Sequence, residues 1–225
     1  MTIPVFKRLP RHIGVIPDGN RRWAEKNGLP KEAGYSWGIA PGFYLYELAS
    51  ELGIEEMTFY GFTHDNTKRP VVQKRAFQKA CVDAVFKLLE KDAALLVVGN
   101  TESPAFPREL LPFTKKRVNI GKGGMRVNFL VNYGWHWDLY HGMKAALPRK
   151  SAAKHVFHQS LASADISRID LVIRWGGRRR LSGFLPVQTI YADFFIVDDL
   201  WPDFKPEHFY NALRWYEIQD ITLGG

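Results

Sequence analysis

The chain has little of what usually marks a secreted, membrane or nucleotide-binding protein. It has one cysteine, Cys81, so an intrachain disulfide and a multi-cysteine metal site are both excluded. No apolar run reaches the roughly 18 residues that span a bilayer, and no secretory leader is evident, so the expected compartment is the cytoplasm. Its glycines form neither a GxGxxG nor a GxxxxGKS pattern, which leaves nucleotide binding without support. Internal repeats and low-complexity linkers are missing, so residues 1–225 read as one domain.

What is present is positive charge on an apolar frame. Lys and Arg number 31 against 23 Asp and Glu, a net charge of +8. That balance suits an anionic partner: a diphosphate, a nucleic acid or an anionic lipid surface. No nucleic-acid motif accompanies the charge, and the aromatic residues fall mostly in apolar periodic runs, so no nucleic-acid partner is expected. With 46% hydrophobic residues, a chain of 225 can bury a large core.

Strand and helix signals alternate along the length. Short apolar runs predict strands at Ile13–Ile16, Met57–Phe62, Leu95–Val98, Met125–Val131, Ile169–Ile173 and Phe194–Val197. Helical spacing covers Tyr35–Leu52, with Pro41 marking its first turn or a kink, then 71–93, Asp138–Leu147, Leu185–Tyr191 and Pro206–Ile218. The polar, small-residue stretch Ser151–Ser167 is expected to be mobile. The alternation predicts an α/β fold, a mostly parallel sheet covered by helices. Polar blocks at Asp18, Thr63–Arg69, Asn132–Gly134 and Arg174–Ser182 each follow a strand, which sets them on one rim, where such sheets bind ligands.

Three blocks carry chemistry. HIGVIPDGNRRW, His12–Trp23, ends a strand in a turn with Asp18 at its apex and opens a helix with Arg21 and Arg22, a place where an anion meets unpaired N–H groups. FTHDNTKRP, Phe62–Pro70, packs His64, Asp65, Asn66 and Arg69 into six residues. RWGGRRRLSGF, Arg174–Phe184, gathers Arg174, Arg178, Arg179, Arg180 and Ser182 around Gly176 and Gly177. Arginines around a glycine turn suit one diphosphate, each good charged hydrogen bond contributing about 1.5–3 kcal/mol.

These blocks, in this order, resemble the signature segments of the cis-prenyltransferase family, the undecaprenyl diphosphate synthase group. The resemblance runs from His12 to the terminal glycines, with the WPDF stretch near its end. It implies an α/β domain with a hydrophobic tunnel under the sheet, a homodimer, and condensation of an allylic prenyl diphosphate with isopentenyl diphosphate to give a new Z double bond. By the same resemblance Asp18 and Asn66 are catalytic. Gly19, Asn20, Arg21, Arg22, Trp23, Lys31, Tyr35, Thr63 and Arg69 contact substrate, Arg174, Arg180 and Ser182 hold the second diphosphate, and Asp18 and Asp193 hold Mg²⁺. The helices 35–52 and 71–93 would wall the tunnel. A long apolar product and a basic chain also suit weak, salt-reversible contact with anionic lipid.

The chain departs from the family at several of these positions. Asp193 replaces a Glu, Tyr35 replaces a His, and Thr67 replaces a Trp. Trp135 and His136 stand for Gly-Arg, and Ile221–Gly225 lacks the arginine of a terminal Arg-x-Gly motif. The departures keep open irregular prenyl coupling, transfer to a non-isoprenoid acceptor, and, with less support, a non-catalytic partner subunit. Retention of Asp18, Asn66, Arg174 and Arg180 speaks against the last.

Overall fold

The computed structural model describes residues 4–146 and 154–220. The six apolar runs become strands, and a short edge strand joins them, giving seven among the described residues: β1 His12–Ile16, β2 Glu56–Tyr60, β3 Ala93–Val98, β4 Val118–Ile120, β5 Met125–Leu130, β6 Leu171–Arg174 and β7 Asp193–Ile196. They form one sheet in the order β4-β3-β5-β2-β1-β6-β7. Every neighbouring pair is parallel except β3 with the edge strand β4. Every residue of β1, β2, β3 and β6 is buried, as parallel strands covered on both faces require.

Alternation along each strand divides the interior in two. Ile13, Val15, Met57, Phe59, Val127 and Phe129 face one side. There they meet α3 Ile39–Glu51, α4 Val71–Leu88 and α7 Pro206–Glu217, three of the seven α-helices among the described residues, the others being α1 Asn20–Lys26, α2 Gly34–Trp37, α5 Trp135–Ala146 and α6 Lys154–Ser160. Ile16, Tyr60, Leu130 and Val172 face the other side, against Tyr133, Ile166, Phe184 and Leu185. Each fully buried Phe, Leu or Ile contributes roughly 1.5–3 kcal/mol, which is why both faces hold together.

The second face also carries a polar network at the N-terminal ends of the strands. His12 Nε2 lies 2.8 Å from Thr58 Oγ1. Asn128 Nδ2 donates to Glu56 Oε1 at 2.7 Å and to Thr58 Oγ1 at 2.8 Å. Ser167 Oγ donates to Glu56 Oε2 at 2.7 Å, and Arg117 and Arg126 lie 3.8 and 3.5 Å from the same carboxylate.

Several sequence expectations change. The helix 35–52 breaks at Gly38, whose carbonyl accepts a 2.8 Å hydrogen bond from Trp201 Nε1. Pro41 then falls in the first turn of α3, where a missing N–H costs nothing. α4 stops at Leu88, because Ala93 already belongs to β3. β4 was not anticipated; it is three partly exposed residues held only along one edge. Leu185–Tyr191 is a run of turns and not a helix, with Pro186 unable to donate. Of the stretch expected to be mobile, residues 151–153 lie outside the described residues. The remainder begins with α6, and Leu161, Ser163 and Ile166 are buried. Ser163 donates to Asp138 through its N–H at 3.2 Å and its hydroxyl at 2.6 Å, which ties the segment to α5.

Candidate active site

At the C-terminal ends of β1, β2 and β6 the connecting segments surround a polar cleft of about 510 Å³. β1 ends at Ile16, and Gly19 turns the chain into α1 with φ 115°, a left-handed conformation that side chains rarely adopt. That turn brings Asp18 to the cleft. Asp18 Oδ2 accepts from Arg174 Nη2 at 2.8 Å, and Oδ1 lies 3.4 Å from Arg22 Nη2. Gly176 permits this closeness, since a Cβ there would stand 2.5 Å from Arg22 Nη2 and 2.9 Å from the Asp18 carbonyl oxygen.

Arg174 is only 4% exposed, and the fold holds it tightly. Besides Asp18 it donates to Ser182 Oγ at 3.0 Å and to the Arg180 carbonyl. It is therefore a buried strut that fixes the 174–182 loop against Asp18. Arg178 and Arg180 also line the cleft but are exposed, and among the described residues neither has an ion-pair partner. Ser182 takes φ 54°, held in place by the Tyr60 hydroxyl donating to its carbonyl at 2.8 Å. Burial raises the Tyr60 phenol above its ordinary value, so it remains a neutral donor.

The 63–69 loop forms the opposite wall. Thr63 N–H donates to Asn66 Oδ1 at 3.0 Å, and Asn66 N–H returns a bond to the Thr63 carbonyl at 3.0 Å. This reciprocal cap sets the loop and commits the Asn66 carbonyl oxygen. Arg69 Nη1 donates to the Tyr35 hydroxyl at 2.8 Å. Tyr35 in turn stacks on Phe77 with ring centroids 4.4 Å apart. Burial raises the Tyr35 phenol, with the Arg69 charge opposing, so Tyr35 positions Arg69 as a neutral group. Lys31 pairs with Glu25 at 2.9 Å on the near wall.

Of the residues predicted from sequence, Asp18, Gly19, Asn20, Arg21, Arg22, Lys31, Tyr35, Thr63, Asn66, Arg69, Arg174, Arg180 and Ser182 all line this cleft. Trp23 does not. Its ring packs 5.1 Å from Trp37, and its Nε1 donates to Asp203 at 2.7 Å, joining α1 to the WPD turn. Asp193 also falls elsewhere. It starts β7 beside Leu171, while Asp18 follows Ile16, the partner of Arg174. The length of β6, about 10 Å at 3.3 Å per residue, thus separates the levels of the two carboxylates. Within one chain the structure does not bring Asp18 and Asp193 together as the expected metal pair. Asp193 instead lies near Arg8 and Asp170, and burial raises its carboxyl. Glu25, Tyr60 and Phe77 line the cleft without having been singled out. Glu25 was findable, one helical turn beyond Arg21 and Arg22; Tyr60 and Phe77 read as ordinary core residues.

Below the cleft lies an apolar cavity between the sheet, α3 and α4. Pro17, Asn20, Tyr35, Gly61 and Phe77 line both spaces. The cationic cleft thus opens directly onto an apolar recess.

The comparisons agree. The undecaprenyl diphosphate synthase family model, Prenyltransf, matches residues 16–224. The ditrans,polycis-undecaprenyl-diphosphate synthase ((2E,6E)-farnesyl-diphosphate specific) of Escherichia coli (strain K12) is 30% identical over 242 residues, covering 100% of this chain and 95% of that protein. The isoprenyl transferase of Bacillus subtilis (strain 168) is 31% identical, covering 96% and 88%. Among solved structures, lavandulyl diphosphate synthase from Lavandula x intermedia in complex with dimethylallyl diphosphate shares the fold, with a TM-score of 0.84 at 23% identity over 96% of this chain and 98% of that one. The chain belongs to the undecaprenyl diphosphate synthase family of prenyltransferases.

Proposed function

We propose that this chain condenses an allylic prenyl diphosphate with isopentenyl diphosphate. The allylic C1–O bond breaks, C1 bonds to the terminal alkene carbon of isopentenyl diphosphate, and C2 of that substrate loses a proton to leave a Z double bond. The observation that carries this reading is the shared wall. Residues that line the cationic cleft also line the apolar cavity, so one molecule can place its diphosphate above and its tail below.

Arg22 and Arg69 face the first diphosphate and stabilise the charge that grows on it as the C–O bond breaks. Arg178 and Arg180, unpaired among the described residues, are the cations left for the second diphosphate, with Arg174 and Ser182 shaping the loop that presents them. Asn66 has its carbonyl oxygen engaged, so its part in proton removal is to position through its amide N–H groups. The released diphosphate is the strongest base nearby to accept that proton.

Mg²⁺ fits this cleft through Asp18. The ion is commonly held by one or two carboxylates with substrate phosphates and water supplying the rest. Among the described residues no cluster of three or more His, Cys, Asp or Glu competes for that role. When bound, it acts as a Lewis acid on the departing diphosphate. A homodimer is part of the proposal, a second copy covering exposed apolar side chains such as Tyr140, Ile190 and Tyr191. Among the described residues no helix is long and apolar enough to cross a membrane. The compartment proposed is the cytoplasm, with salt-reversible contact at anionic lipid.

The test is mass spectrometry of products from allylic primers with labelled isopentenyl diphosphate, with Mg²⁺ and with EDTA. Label in a prenyl diphosphate, lost with EDTA, is the expected result. Prenyl products formed without label would favour coupling to another acceptor.

A further inference from the structure

The apolar cavity is small for a chain like the undecaprenyl product named for its relatives. It runs beside α4 from Phe77 to Leu88, about 16 Å at 1.5 Å per residue. Its free volume, however, is about 90 Å³. A cavity of about 150 Å³ accommodates one benzene ring, so this space suits about one five-carbon unit.

Aromatic rings take up the rest. Phe59 on β2 and Phe129 on β5 stand directly opposite in register and stack with centroids 5.3 Å apart. Tyr46 on α3 is pinned across the cavity, its hydroxyl donating to the Asp92 carbonyl at 2.8 Å. The α4 wall is small by contrast, formed by Ala80, Cys81 and Ala84. The sheet and α3 sides of the cavity are thus lined by rings, and its α4 side by small side chains. Close-packed rings with a buried hydrogen bond do not move aside without cost.

We propose that Phe59, Phe129 and Tyr46 stop the growing chain. The preferred primer is a short allylic diphosphate, and the product is a short prenyl diphosphate of about two to three five-carbon units. This rests on the prenyl-transfer reading above, and two measurements separate the failure of one from the failure of the other.

The first is calorimetric binding of dimethylallyl, geranyl and farnesyl diphosphates in EDTA, where no turnover is expected. Farnesyl diphosphate is expected to bind wild type no more tightly than geranyl diphosphate. In Phe129→Ala it is expected to gain about tenfold or more, because each newly buried methylene adds affinity. Wild-type affinity that climbs about tenfold from geranyl to farnesyl would overturn the proposal. The second is product length with labelled isopentenyl diphosphate and Mg²⁺. Short wild-type products that lengthen in Phe129→Ala support it; long wild-type polyprenyl products, or lengths unmoved by the substitution, overturn it. Phe129→Leu, a smaller loss of volume, serves if the alanine variant does not fold. If wild type turns over no primer, the prenyl-transfer reading fails, and the binding series still decides whether the cavity limits tail length.

Discussion

The two ends of the central sheet both hold buried charge, and they use it differently. At the N-terminal end, Glu56 meets Arg117, Arg126, Asn128 and Ser167, so acid and base are matched within the protein. At the C-terminal rim, Asp18 faces Arg22 and Arg174, while Arg178 and Arg180 have no ion-pair partner among the described residues. Matched charges hold strands in register; unmatched ones wait for an anion. Arg174 sits between the cases: it is on the functional rim, yet its partners are Asp18, Ser182 and a carbonyl, as in the structural network.

The largest expected effect breaks the rim. Asp18→Ala should lower turnover at least about a thousandfold, by removing the carboxylate proposed to hold Mg²⁺. It should also lower stability, because buried Arg174 loses its ion-pair partner. An apical turn carboxylate looks dispensable to the fold from sequence, whereas in the structure it also pairs with buried Arg174. Asp18→Asn keeps a hydrogen-bond acceptor and should recover much of the melting temperature with little of the activity. Equal thermal stability of wild type and Asp18→Ala would remove Arg174 from the structural role given to it.

The opposite end should answer in stability alone. Glu56 is 3% exposed, and Glu56→Ala leaves Asn128 and Ser167 without their buried acceptor while Arg117 and Arg126 keep only Asp165 as an ion-pair partner, so a loss of about 1–3 kcal/mol is expected in denaturant unfolding. The folded variant should keep wild-type Michaelis constants. Altered constants with unaltered stability would erase the contrast between the ends.

Arg180→Ala is a smaller change on the functional side. Loss of one charged hydrogen-bonding partner, about 1.5–3 kcal/mol, corresponds to a roughly ten- to hundredfold rise in the Michaelis constant for isopentenyl diphosphate. The allylic constant and the melting temperature should hardly move, since the side chain is exposed and unpaired among the described residues. An unchanged isopentenyl constant would point to Arg178 as the principal cation, or to another acceptor.

The smallest effect is a pH slope at the matched end. Burial lowers the His12 pKa below the ordinary value of 6.5, although Glu56 opposes it. The unfolded chain therefore binds the proton more readily than the folded one. Stability from neutral His12 is complete above about pH 6.5 and declines as pH falls below it. Unfolding titrations of wild type and His12→Gln should differ in slope in that range, and identical slopes would remove His12 as the source.

Apolar runs such as Ile13–Ile16 and Leu95–Val98 made most of the sheet legible, because a strand buried on both faces must be apolar throughout. The rim was legible because polar blocks repeatedly follow such runs. β4 was not, since three edge residues make too short a pattern, and Leu185–Tyr191, expected as a helix, makes turns around Pro186. Trp23 and Asp193 were placed at the site by resemblance alone. In the structure Trp23 bonds Asp203, and Asp193 begins a strand whose far end meets the rim.

The sequence by itself determined the α/β class, the cationic glycine loop and the identity of most cleft residues, because these follow from local pattern and from residue types that only certain chemistry uses. Only the tertiary structure decided which arginines are free and how much tail space lies below them. Arg174 and Arg180 are equivalent letters in one block. Burial beside Asp18 makes the first a strut, and exposure leaves the second to a ligand. Phe59 and Phe129, 70 residues apart in the chain, meet only because β2 and β5 pair in parallel register, and their stacked rings narrow a cavity that no local stretch encodes.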